Sequence, residues 1–275
     1  MKKILVAGDV CDDVYLFSSV QKKNPEHSSP IYSIEKRIVK PGMAANVEKN
    51  LENMEVESDL FDNSVKHIQK TRLYYNDQYI TRIDHDEFMP FYEEGRKLEF
   101  FKVTLKDHDA IIVSDYGKGF WNKETLDTLK KTDKLIFIDP YSTTALRAYP
   151  PCFCITPNYE EGKALTGEFS YPKICEYIVN NLNTQYVVLK VGEKGSYLYK
   201  KGWDYPINFP AIQTECVDPC GAGDTFIAAL AAHYTQHKNI TDAVAVANRA
   251  ASLTVGHIGV YSPTSEEWKK ITLDK

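Results

Sequence analysis

Short apolar runs recur along the chain at residues 4–7, 110–114, 135–139, 154–156 and 186–190. Hydrophobicity that is continuous over so few residues, rather than alternating, is the pattern of a strand buried on both faces. Helix-like stretches such as residues 123–131 and 174–182 lie between them, and strand alternating with helix predicts a mostly parallel sheet flanked by helices. Four runs end in polar residues: Gly8-Asp9, Ser114-Asp115-Tyr116, Asp139-Pro140 and Thr156-Pro157-Asn158. Ligands of open α/β sheets bind outside the carboxyl ends of the strands. A shared edge would therefore gather these ends into one crevice, although each alone also reads as an ordinary strand terminator.

Residues 31–39, 71–75 and 79–83 alternate apolar with polar instead, which predicts exposed strands. Segments of about 11–40 and 71–88, with a helix beginning near Pro41-Gly42 between them, are expected to pair into a small sheet that acts as a lid. No repeat, low-complexity tract or Pro/Gly/Ser-rich linker divides the chain, so residues 1–275 are read as a single domain. Its unpaired edge predicts a homodimer through the lid. A net charge of −5 without a basic cluster argues against nucleic acid as a partner. The N-terminal apolar run is too short for a signal segment or a membrane span, and the expected location is cytoplasmic. The six cysteines form no CxxC pair and no zinc-binding spacing, as expected of reduced thiols.

The segment from Cys216 to Thr225 carries the most chemistry. Gly221, Ala222 and Gly223 let the backbone turn with little obstruction, and the apolar helix that follows points its unpaired amides and positive dipole end at that turn. Phosphate groups bind well there. Asp224 has two readings from the residues alone: a helix cap, or a proton acceptor for an attacking hydroxyl.

Taken together, these residues resemble the ribokinase-like (PfkB) carbohydrate kinase family. Asp218-Pro219-Cys220-Gly221-Ala222-Gly223-Asp224 stands where the family has D-T-x-G-A-G-D. The match continues through Gly8-Asp9 with Asp13, Asn24-Pro25-Glu26, Pro41-Gly42-Met43-Ala44-Ala45-Asn46, Arg82-Ile83-Asp84, Ser114 to Gly119, Ile138-Asp139-Pro140 and Thr156-Pro157-Asn158. Within the family the pattern is similar to the kinase domain that phosphorylates D-glycero-β-D-manno-heptose 7-phosphate at the anomeric hydroxyl, in lipopolysaccharide precursor synthesis. Kinases for another small sugar or a nucleoside, and a sugar- or nucleotide-binding regulator without catalysis, are the alternatives.

The resemblance implies ATP and Mg2+ as cofactors, with a monovalent cation as a further candidate, and a sugar or sugar phosphate as substrate. It implies Asp224 as general base, with the amides of Ala222, Gly223 and Asp224 forming an anion hole in the turn that starts at Gly221. Asn158 and Glu161 would organise the metal, and Lys190, Gly192, Gly195, Asn158 and Asn248 would line the nucleotide site. Asp9, Asp13, Gly42 and Asn46 would hold sugar hydroxyls, and Arg82 and Lys118 a substrate phosphate. As structure alone, Asn158 with Glu161 also reads as a helix cap, and Lys190 to Gly195 as a plain turn. The chain departs from the family at Met43, in place of a glycine associated with lid closure, and at Pro219, in place of a threonine. It also has only about sixteen residues between Met54 and Thr71, which is expected to trim one edge of the sheet.

Overall fold

The structure, a computed structural model, describes residues 2–62, 68–85 and 95–273. The first apolar run forms β1 (Ile4–Gly8), and the chain passes at once into β2 (Val10–Ser18), a hairpin of β3 (Val20–Lys22) and β4 (Ile31–Ser33), and β5 (Lys36–Met43). Helix α1 (Ala44–Asn53) leads to β6 (Ser58–Phe61), then to β7 (Ile68–Tyr75) and β8 (Gln78–His85). Regular alternation follows: α2 (Gly95–Lys106), β9 (Ala110–Ser114), α3 (Lys123–Leu129), β10 (Leu135–Asp139), β11 (Cys152–Ile155), α4 (Tyr159–Thr166), α5 (Tyr171–Leu182) and β12 (Thr184–Lys190). The antiparallel β13 (Ser196–Lys200) and β14 (Ile207–Phe209) precede α6 (Ala222–His237), α7 (Ile240–Val255) and α8 (Ser265–Leu273).

The main sheet has the order β14-β13-β12-β11-β10-β9-β1-β6 and is parallel from β6 to β12. Ile4 and Val6 pack with α1, α6 and α7, whereas Leu5 and Ala7 pack with α2, α3 and α5. Both faces are thus covered, which is why these strands read as unbroken apolar runs. Helix α6 is apolar around most of its circumference because it lies inside the first of these layers, where its alanines allow close approach to α1 and α7. The short segment between Met54 and Thr71 supplies β6 as the edge of the sheet, and residues 63–67 lie outside the described residues.

The second sheet, β5-β2-β7-β8, is the predicted small sheet with shifted bounds. Strand β2 begins at Val10, β5 continues through Pro41-Gly42 to Met43, and the helix expected near Pro41 begins at Ala44. Residues 86–88 lie outside the described residues. The sheet rests on the loops around Asp218 and Val260. Tyr15 Oη accepts from the Val260 amide at 2.7 Å, Lys40 Nζ donates to the Val260 carbonyl at 2.7 Å, and Tyr74 Oη approaches Asp218 Oδ2 at 3.4 Å. Among the described residues no helix is long and apolar enough to cross a membrane. All six cysteines are free.

Candidate active site

The chain turns at Gly221, where φ is 81°, and enters α6 at Ala222. A side chain at that left-handed position would be strained, and its Cβ would stand 3.0 Å from Asn46 Nδ2. First-turn amides have no intrahelical acceptor. The Ala222 amide leans on the Pro219 carbonyl at 3.3 Å, which leaves those of Gly223 and Asp224 as the donors at the positive end of α6. The anion hole expected from three amides thus has two fully available.

Asp224 does not cap its helix; its buried carboxylate is held instead by α1 and the loop after β9. Asn46 Nδ2 donates to Oδ2 at 2.9 Å, and Tyr116 Oη donates to Oδ1 at 2.7 Å. Burial pushes its pKa up to about 7, the Asp139 charge adding to this while the two hydrogen bonds and Lys190 oppose it. A carboxylate poised near neutrality is suited to accept a proton. Asn46, expected to hold a sugar hydroxyl, is thus also a hydrogen-bond donor to this acid.

The carboxyl ends of β1, β9, β10 and β11 do gather at one edge, and that of β12 joins them. Gly8 pairs with Ser114, Ser114 with Asp139, and Asn158 forms a bridge with Lys190. Lys190 Nζ donates to Asp139 Oδ1 at 2.7 Å. Burial works to lower the Lys190 pKa, but the charges of Asp139 and Glu161 hold it raised, so the ammonium persists. Between this pair and α7 lies a cleft of about 520 Å³ that brings together Asn158, Lys190, Gly192, Gly195, Gly223 and Asn248. Apolar Ala251 and Val255 form one wall, and Asn248 Nδ2 is tied to Ser196 Oγ at 3.0 Å. A purine against the apolar wall, with its phosphates toward Lys190 and the α6 amides, fits this division of chemistry.

Asn158 and Glu161 form a reciprocal capping box: Asn158 Oδ1 accepts from the Glu161 amide at 2.9 Å, and Glu161 Oε2 from the Asn158 amide at 2.8 Å. Burial raises the Glu161 pKa, Lys190 opposing and Asp139 adding. Among the described residues no group of three or more His, Cys, Asp or Glu could hold a metal by itself. Hard oxygens at the cleft still fit Mg2+, which is commonly held by one or two carboxylates together with nucleotide phosphates and water.

On the sugar side the arrangement differs from expectation in three places. Asp9 is buried, and its oxygens accept the amides of Tyr116, Lys118 and Phe120 at 3.2, 3.1 and 3.0 Å, so it shapes the 115–120 loop that carries Lys118. Asp13 is ion-paired with Arg72, whose Nη2 also reaches Cys220 Sγ at 3.2 Å. Arg82, expected to face a substrate phosphate, lies on the outermost strand β8 and pairs with Asp84 at 2.8 Å. The buried arginine of the small sheet is Arg72, and Lys70 Nζ stands 5.4 Å from the Tyr116 ring. No local signal marked either residue, since both sit in an alternating strand. Tyr116 was visible only as part of a polar strand end.

Gly42 has no room for a side chain: a Cβ would come within 2.2 Å of Asp13 Oδ2. Met43 follows with φ 58° and ψ −133°, a region that favours glycine. The methionine therefore retains the backbone form that a glycine adopts easily, while its side chain packs with Cys11, Ile68 and Tyr116.

Phosphofructokinase-2 from Escherichia coli, solved in complex with substrates and products, matches this structure with a TM-score of 0.76 at 14% identity, covering 99% of this chain and 98% of that one. Ribokinase from Arabidopsis thaliana, solved with ribose and ATP, matches at 0.72 and 19% identity, covering 100% and 99%. These likenesses define the fold as ribokinase-like. The chain belongs to the pfkB family of carbohydrate kinases, whose model matches residues 64–267. The bifunctional protein HldE of Helicobacter acinonychis is 30% identical over 97% of this chain and 65% of its own length, and that of Nitratiruptor sp. is 26% identical over 96% and 64%. The chain therefore spans about 65% of the length of these relatives. A kinase of this family implies ATP and, with it, Mg2+.

Proposed function

We propose that this chain transfers the terminal phosphoryl group of ATP to the anomeric hydroxyl of D-glycero-β-D-manno-heptose 7-phosphate. The observation that carries the reading is Asp224, buried beside the α6 amides between the nucleotide-sized cleft and the small sheet. Similarity to the HldE proteins over nearly the whole chain supports the heptose branch. Asp224 takes the proton from the sugar hydroxyl. The amides of Gly223 and Asp224, with Lys190, receive the charge of the transferring group, since phosphoryl transfer is driven mainly by positioning and charge neutralisation. Asn158 and Glu161 would hold Mg2+, which supplies further neutralisation of phosphate charge. Asp13, Gly42 and Asn46 border the sugar, and Lys118 and Lys70 are the cations at hand for its phosphate. The small sheet closes over the acceptor as a lid.

ADP release with Mg2+ and ATP, measured on heptose 7-phosphate, sedoheptulose 7-phosphate, fructose, ribose, fructose 6-phosphate and adenosine, tests the proposal. Turnover on heptose 7-phosphate alone is expected; preference for another member would discard the branch and keep the mechanism. The acid limb of kcat/KM is expected near pH 7, because Asp224 must be ionised to accept a proton and its carboxyl is raised to about 7. Activity should fall as pH drops through that value and level off above it, and a limb near 4 would contradict the buried base.

The reading includes a homodimer. Strand β8 is an edge strand exposed throughout, with Ile83 at 65% and Tyr79 at 55% exposure, and a second copy pairing there would cover it. A monomeric mass by light scattering at micromolar concentration would count against the dimer.

A further inference from the structure

Tyr116 reaches the candidate base by a construction that the reaction itself does not require. Its backbone belongs to the 115–120 loop, which two buried carboxylates fix from below. Asp9 accepts the amides of Tyr116, Lys118 and Phe120, while Asp115 accepts from the Gly117 amide at 2.8 Å, Thr144 Oγ1 at 2.8 Å and Tyr149 Oη at 2.7 Å. The ring is packed on Cys11, Met43 and Ile68 under the Lys70 ammonium. With backbone and ring both held, the phenol is delivered to Asp224 Oδ1 at 2.7 Å.

We propose that Tyr116 is a positioning residue that sets the protonation state of Asp224, keeping the base ionised and correctly turned at neutral pH. The inference rests on the reading of Asp224 as the general base. A donor to a carboxylate stabilises the charged form. Burial raises the Asp224 carboxyl, and the phenol with the Asn46 amide opposes that rise. The other titratable or charged groups that act on Asp224 are Asp139 on β10, Lys190 on β12, Cys11 on β2 and Cys220 in the preceding loop. Only Asn46 and Tyr116 donate hydrogen bonds to the carboxylate among the described residues. The phenol remains a donor, since burial and the Asp224 charge hold its own pKa well above the usual tyrosine range. Each carboxylate oxygen has a second lone pair, so the contact leaves room for a substrate hydroxyl. Asp9 then acts on the base through the loop, which accounts for its lack of a free oxygen.

The test is a direct titration of the Asp224 carboxyl carbon by NMR in protein labelled with [γ-13C]aspartate, the resonance being assigned by its absence in Asp224→Asn. In Tyr116→Phe, which keeps the ring and removes the donor, the midpoint is expected to rise by about one pH unit or more. With 3-fluorotyrosine at position 116, a more acidic phenol of nearly the same shape, it is expected to fall below the wild-type value. Midpoints unchanged in either protein would overturn the proposal, and the fluorinated protein decides the matter if Tyr116→Phe does not fold. The acid limb of kcat/KM on heptose 7-phosphate should move in the same directions. A merely structural tyrosine would lower the plateau without moving the limb. If the carboxyl titration moves while Asp224→Asn remains fully active, it is the assignment of Asp224 as base that fails, not its control by Tyr116.

Discussion

Replacing Asp224 by asparagine is expected to lower turnover by about 10²–10⁴-fold, the usual contribution of a positioned proton acceptor, while leaving the fold intact. The new amide can keep both contacts of the buried carboxylate: its oxygen accepts from Asn46, and its nitrogen donates to the Tyr116 oxygen. Stability should move the opposite way from activity. The Asp224 carboxyl is raised from 3.8 to about 7, so its contribution is fully present below the unfolded pKa and is lost as pH rises through the folded one. Above pH 7 the ionised group costs roughly 4 kcal/mol at 1.36 kcal/mol per unit. Asp224→Asn should therefore melt at a higher temperature than wild type at pH 8, with little difference at pH 4. Near-normal turnover in a variant of wild-type stability would remove Asp224 from the mechanism. Loss of both activity and stability would point to a structural role.

The second large effect is expected at Arg72. Asp13 and Arg72 are 3% and 6% exposed and paired with each other. Arg72→Met would leave the Asp13 carboxylate buried without its counter-charge, a loss of about 3–5 kcal/mol. Arg82→Met, on the rim strand, should change stability by less than about 1 kcal/mol. Adding Asp13→Asn to Arg72→Met should recover much of the loss, because the penalty lies in the orphaned charge rather than in the missing contact. Urea denaturation of the four proteins checks the series, and equal midpoints for the two arginine variants would contradict a buried pair. Since Arg72 also touches Cys220 in the loop before α6, its loss is expected to loosen the small sheet from the phosphate-binding turn.

Arg72 and Arg82 also show where reading the sequence runs out. Both lie in alternating strands of the same apparent character, and in the sheet they are direct cross-strand partners on one face. They differ because β7 lies between β2 and β8, beside Asp13, whereas β8 has a neighbour on one side only. Strand order is a property of pairing across the whole sheet, and alternation within one strand carries no information about it. The same limit applied to Asn46. Its residue type suits a sugar hydroxyl, and only the packing of α1 against α6 brings its amide to a carboxylate 178 residues away in sequence.

By itself the sequence determined the elements and the chemistry available at their ends. Buried strands must be apolar on both faces, helices must start where their amides find partners, and a glycine-lined turn before an apolar helix makes an anion site; each of these is a local requirement, and each left a local trace. The tertiary structure alone decided which ends became neighbours. It set Asp224 against Tyr116 and Asn46, made Asp9 a clamp on the 115–120 loop, and chose Arg72 over Arg82 as the buried cation. Hydrogen bonds and ion pairs depend on distance in space and on exclusion of water, and both are set by the packing of segments far apart in the chain.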